Sequence, residues 1–276
     1  MALSVDGFYL WRNALGHSTR LAISREEFDD LSQGRKRITN VRDIEEKFFV
    51  ICRNYRDIEM FKFGNDLEHL LFNYGETRDL YLIGTEMGRL ALSFLASTKL
   101  YLDSVSSHAR DALSNKSGIV EDVKNYISFV YDSSIEYRVM EMLRNHAQHH
   151  AFIVTAASYG GVRDKNTENI DYSSNFYFET RQIKDGKNLK PLVIKEVDLL
   201  GGRVDIVEFI RSYFSSMCNI HIHVRSLLES QSNYDSNLFK YIRRKWVATF
   251  PESADLTGVV AGHLKEGIID KAVELS

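Results

Sequence analysis

The 276 residues are 44% apolar with only two prolines, enough hydrophobic material for a sizeable core and too much for a disordered chain. Single cores stop growing near this length, so one elaborated domain spanning residues 1–276 is expected rather than two of equal rank. A formal charge of -3 and a pI near 6.3 exclude a protein that coats nucleic acid through its overall field, so any RNA contact has to be local.

The N-terminal region, residues 1–38, alternates as strands do over Gly7-Phe8-Tyr9-Leu10-Trp11 and Thr19-Arg20-Leu21-Ala22-Ile23, which predicts a β-hairpin. Ser24 and Glu27 have capping-box spacing and predict a short helix ending before Gly34. A helical core over residues 40–150 follows. Ile44, Phe48, Ile51, Cys52, Tyr55 and Ile58 form its first apolar stripe, and Gly64-Asn65 and Gly75 punctuate the chain after it. Leu80 to Ala109 keeps the helical period long enough to predict the longest element, with Gly84 and Gly88 placed for close approach of another backbone. Ser114 to Gly118 reads as a turn, and Val123 to Met140, with Ser134 inside the pattern, as a third long helix carrying its period toward residue 150.

Residues 152–200 read as a small antiparallel β insertion, with strands at Phe152–Thr155, Phe176–Thr180 and Leu192–Lys195 and a turn at Asp185-Gly186. Residues 202–250 return to helix, first over Val204–Leu228 and then over Leu238, Tyr241, Ile242 and Trp246 as far as Pro251. The predicted fold class is therefore mainly α (α+β): a bundle of long helices with an N-terminal hairpin and a β insertion. Cys52 and Cys218 lie in apolar helical patterns and read as free thiols of a reducing compartment. The first six residues lack a basic region followed by an apolar block, and the most apolar stretch, Leu80–Leu102, contains Glu86, Arg89 and Lys99. A cytoplasmic protein with no membrane partner is expected.

Chemistry concentrates in Arg144-Asn145-His146-Ala147-Gln148-His149-His150. Cleaving RNA without metal requires deprotonating a 2′-hydroxyl, holding a phosphate and protonating the leaving oxygen. Imidazole titrates near neutrality and suits the proton transfers; the planar guanidinium binds two phosphate oxygens. On a helix, Asn145 and His149 share a face with Arg144 beside them. Free carbonyls at the helix end favour a protonated imidazole.

Arg144-Asn145, three residues, then His149 resembles the signature of the HEPN superfamily. The resemblance implies a long-helix bundle and a metal-independent endoribonuclease that leaves a 2′,3′-cyclic phosphate, commonly with a site built across a homodimer. It carries over Arg144 as the phosphate-binding residue, Asn145 as the polar partner and His149 as the catalytic imidazole, with His150 also at a permitted spacing. The expected partners are RNA, a second copy and an antitoxin or other regulatory protein; no cofactor is expected, and the biological setting implied is a toxin or phage-defence effector. The N-terminal hairpin and the β segment after the motif depart from the compact all-helical pattern. Arg53-Asn54 is a decoy, with Ile58 where the histidine belongs.

Three other readings compete. Glu141, three residues before Arg144, would make an ordinary surface ion pair, leaving a non-catalytic helical interaction or nucleotide-binding module. His146 and His150 at i, i+4, with His149 near and His221 or His223 as a third ligand, would make a metal-dependent enzyme, although His221 and His223 point to different helix faces. Lys240, Arg243, Arg244 and Lys245 form a basic patch that is either a solvated face or a contact to a nucleic-acid backbone, while the aromatic residues read as core stripes. There is no Gly-rich phosphate loop, nucleophile elbow, Cys-x-x-Cys pair or His-Glu-x-x-His; Gly160-Gly161 and Gly201-Gly202 read as turns.

Overall fold

The computed structural model describes residues 6–13, 19–72, 80–114, 116–149, 153–163, 170–181, 191–252, 256, 258–266 and 268–275. Among them are six helices, α1 (Arg25–Phe72), α2 (Leu80–Ala112), α3 (Ile119–Ser133), α4 (Ile135–His149), α5 (Pro191–Leu199) and α6 (Ile206–Thr249). The strands are β1 (Gly7–Arg12), β2 (Arg20–Ile23), β3 (Ala156–Arg163), β4 (Ile170–Glu179), β5 (Arg203–Asp205), β6 (Val259–Lys265) and β7 (Ile268–Glu274). The protein is mainly α with small antiparallel sheets. Among the described residues no helix is long and apolar enough to cross a membrane.

The chain forms two compact units: residues 1–44, 107–120 and 225–276, and residues 45–106 and 121–224. In the first, the hairpin β1–β2 is joined by β6 and β7 in a four-stranded antiparallel sheet of order β2-β1-β6-β7. Leu10, Ile23, Phe28, Leu31, Ile242, Trp246, Val259 and Ala261 make its core. Gly262 lets this sheet close: a Cβ there would overlap the Trp11 indole and lie 2.7 Å from the Lys271 carbonyl oxygen. In the second unit β3, β4 and β5 form a separate antiparallel sheet. Asp66 of α1 accepts the Ser174 backbone N–H of β4 at 2.6 Å, and Lys62 donates to the Ser174 carbonyl at 2.8 Å.

The capping box forms as read: Glu27 N–H donates to Ser24 Oγ at 3.0 Å, and Ser24 N–H to Glu27 Oε2 at 2.8 Å. The helix it starts does not stop at Gly34. One helix of 48 residues runs to Phe72, longer than α2, so neither Gly34 nor Gly64 breaks it. A mid-helix glycine costs about 1 kcal/mol, less than packing returns here. At Gly34 an added Cβ would lie 3.2 Å from Phe239, and one turn on Arg37 forks onto Asp235, with both groups buried and Nε 2.9 and 3.1 Å from the two carboxylate oxygens. Close approach to α6 is what the missing side chain permits. At Gly84 a Cβ would meet Val154 and Ala157 at 3.7 Å, ordinary contact rather than an unusually close approach.

Four further expectations are corrected. The third long helix is two, because Ser134 interrupts it and caps α4, its Oγ accepting the Tyr137 N–H at 3.1 Å. Leu192–Lys195 lies in helix α5, not a strand: Pro191 occupies the first helical position, where its missing N–H costs nothing. The predicted first strand moves on to Ala156–Arg163; Ile153 to Thr155 precede it, while Phe152 and Asp185-Gly186 lie outside the described residues. The two C-terminal helices are one 44-residue helix, α6, started by Asp205, whose Oδ1 accepts the Val207 N–H at 2.8 Å.

Candidate active site

The Arg-Asn-His segment ends α4, in the second unit. Its apolar face is fixed by buried Tyr137, Val139, Met140 and Leu143. Arg138 anchors the helix start: its Nη1 donates to the Tyr131 and Asp132 carbonyls at 2.8 and 2.7 Å, and Nε and Nη2 fork onto Glu196 of α5 at 3.0 and 2.7 Å. One guanidinium thus satisfies the end of α3 and holds α5 against α4. Arg138 carries no chemical signature in the sequence, and its placement could be read only once the helix break at Ser134 was known.

Two turns later Arg144 is 8% exposed. Its Nη1 pairs with Glu141 Oε2 at 2.7 Å, and its Nη2 donates to Asn145 Oδ1 at 2.9 Å. Glu141 also accepts the Tyr213 hydroxyl of α6 at 2.7 Å, making a continuous chain from Tyr213 through Glu141 and Arg144 to Asn145. The Arg144–Glu141 pair is therefore internal, not the surface pair that spacing alone predicts. Tyr213 was legible only as a member of an apolar stripe; its hydroxyl is the polar end of a core side chain.

Burial pushes the Tyr213 and Tyr137 hydroxyls far above the usual phenol range, and the negative charge of Glu141 adds to the effect. Near neutral pH both stay protonated, so Tyr213 is a donor that orients Glu141 and not a base. Arg144 Nε and Nη1 are shielded from solvent, and Nε has no hydrogen bond among the described residues. The remaining nitrogen, Nη2, is the one bonded to the exposed Asn145.

The structure brings Arg144 and Asn145 together. The side chain of His149 and the whole of His150 lie outside the described residues, as does the Gln148 side chain. His146 is half-buried on the same helix. His221 is buried, stacked on Phe48 with ring centroids 3.8 Å apart, and its Nδ1 lies 3.1 Å from the Tyr101 hydroxyl. His223 stacks on Tyr126 and faces Asp122 at 3.6 Å. Each is thus engaged by different neighbours, and among the described residues no group of three or more His, Cys, Asp or Glu side chains could hold a metal ion. Cys52 and Cys218 are free thiols, both raised by burial. The decoy Asn54 is structural, donating to the Ser93 carbonyl and Ser97 Oγ at 3.1 and 3.0 Å. Comparison of the chain with family models, with curated proteins and with solved structures finds no match to any of the three.

Proposed function

We propose that the protein is a HEPN-like, metal-independent endoribonuclease of the cytoplasm. The observation that carries the reading is the 2.9 Å bond between Arg144 Nη2 and Asn145 Oδ1 at the last turns of α4, held from behind by Glu141. In this reading the phosphate takes over Nη2, and Asn145 turns to the ribose or to the imidazole. His149, with His150 as the alternative, moves the proton. The 2′-oxygen attacks phosphorus as its proton leaves, the bond to the 5′-oxygen breaks, and that oxygen is protonated. The products are a 2′,3′-cyclic phosphate and a 5′-hydroxyl. The negative end of a helix dipole, such as the C-terminus of α4, favours the imidazolium that donates this proton. A second copy of the chain and a restraining protein, as for a toxin or phage-defence effector, are the partners this reading calls for.

The test is incubation of purified protein with end-labelled RNA in excess EDTA. Cyclic-phosphate ends, lost at least about a hundredfold in Arg144→Ala and His149→Ala, are expected. RNA left intact by both monomeric and dimeric fractions overturns the reading.

The burial of Arg144 in the Glu141–Tyr213 chain favours a second reading, a non-catalytic helical module that binds a partner. There Arg144→Ala lowers stability and there is no cleavage to lose. His149→Ala separates the two, because Arg144→Ala also removes an internal ion pair.

A further inference from the structure

The C-terminal third of α6 carries a face that the reaction proposed above does not use. From Ser236 to Thr249 the helix contains Lys240, Arg243, Arg244 and Lys245 and no acidic residue. Lys245 is committed to the fold, its Nζ 2.7 Å from Glu27 Oε1. Glu27 is thereby neutralised: burial pushes its carboxyl up, but the hydrogen bonds from Lys245 and the Ser24 backbone outweigh this and hold it below the usual range. Asp235, the nearest acid upstream, is buried against Arg37. Lys240, Arg243 and Arg244 are exposed, and neither Lys240 nor Arg244 has an acidic partner among the described residues. Together with Val247 and Ala248 they line a depression of about 550 Å³.

Helical geometry arranges two of these cations and two tyrosines in parallel rows, with Arg243 on the far side of the cation row. Lys240 and Arg244, four residues apart, stand in line about 6 Å along the axis. Tyr234 and Tyr241, seven apart, form a neighbouring row about 10 Å long. Both rings are about half exposed, at 52% and 53%, so Tyr241 is not the core residue its periodicity predicts. Its hydroxyl lies toward Glu27, which leaves the ring face as the part offered to a ligand. A row of cations beside a row of accessible aromatic faces is the arrangement that takes a single nucleic-acid strand: phosphates follow the cations and unpaired bases stack on the rings. An anionic bilayer would use the cations and not need the ring faces.

We infer that the Lys240–Arg243–Arg244 face of α6, with Tyr234 and Tyr241, is a docking surface for single-stranded RNA. The choice of ligand rests on the RNA-directed reading above, while the surface is separate from Arg144 in the chain and does no chemistry.

The experiment measures binding of the full chain to a fluorescent 2′-O-methylated oligouridine, which cannot be cleaved because its 2′-oxygen is blocked, across a salt series. The triple variant Lys240→Gln, Arg243→Gln, Arg244→Gln should weaken binding at least about tenfold and flatten the slope of log K against log salt by about one or more. Tyr234→Ala and Tyr241→Ala should each weaken it about fivefold or more with the slope unchanged. Unchanged far-ultraviolet circular dichroism in all three shows that folding is not the cause. Unaltered affinity in the triple variant overturns the inference, as does equal binding of a duplex of the same length, or binding of phosphatidylserine vesicles in preference to the oligomer. The two readings fail separately. Protein that binds through this face but never cleaves RNA sinks the nuclease alone, and protein that cleaves yet binds equally well as the triple variant sinks the docking surface alone.

Discussion

Glu141→Gln isolates the energetic role of the polar chain behind Arg144. The change keeps the shape and an acceptor oxygen for Tyr213 but removes the charge that faces a guanidinium. The two side chains are 10% and 20% exposed, so water compensates little. Removing one partner of a buried pair costs about 3–5 kcal/mol. Here Arg144 retains its Asn145 bond and Tyr213 its acceptor, which brings the cost to about 2 kcal/mol. For a chain of this size that lowers Tm by roughly 4–8 °C. Urea unfolding should show a lower midpoint at constant slope. The cycle through Arg144→Gln and the double variant should give a coupling of about 1 kcal/mol or more. In the nuclease reading, kcat falls at least about tenfold, because a displaced guanidinium no longer meets the phosphate. A Tm within 1 °C of the wild type, or additive single changes, would refute the claim that Glu141 holds Arg144 in place.

Gly64→Ala meets no atom within 4 Å and should stabilise α1 by about 0.5–1 kcal/mol, whereas Gly34→Ala must displace Phe239 at 3.2 Å and should gain less; paired denaturation curves read the difference. Gly262→Ala drives a methyl into Trp11 and the Lys271 backbone and should open the four-stranded sheet, seen as a shift in tryptophan emission. In alkali, burial, aided by Glu59, raises Tyr55 to about 12, and burial raises Tyr101, Tyr137 and Tyr213 further. The unfolded values lie near 10, so this contribution to stability is complete below about pH 10 and is lost as pH rises through the folded values. Absorbance at about 295 nm should show these four tyrosines still protonated at about pH 11 while helicity persists; a single titration of all tyrosines near pH 10 in folded protein would contradict it.

Helical periodicity made α2 legible, and the Ser24–Glu27 capping box made the start of α1 legible, because both are local signals. The continuity of α1 was not legible: Gly34 is a helix-breaking signal unless Phe239 and Asp235, two hundred residues away, are known to pack there. Likewise the β-branched run near Val193 reads as a strand, whereas the local cue for α5 is Pro191 at a first helical turn. The β6–β7 hairpin was missed altogether. In the sequence Gly258 precedes it and Gly267 falls between its two strands, but Ile268-Ile269-Asp270-Lys271 does not alternate, and β6 pairs on one side with β1 from the other end of the sequence. At the candidate site, spacing gave the Arg144–Glu141 pair but not its burial, which depends on Tyr213 arriving from α6.

The register that sets Trp11 opposite Val260 has a consequence for synthesis. Translation is vectorial, at roughly 5–20 residues per second, so β1 leaves the ribosome about 12 to 50 seconds before β6 is made. Through that interval the nascent hairpin presents a bare strand edge, a template for pairing with any other extended chain nearby. A ribosome-associated chaperone that shields this edge would raise the yield of native protein more than one acting after release.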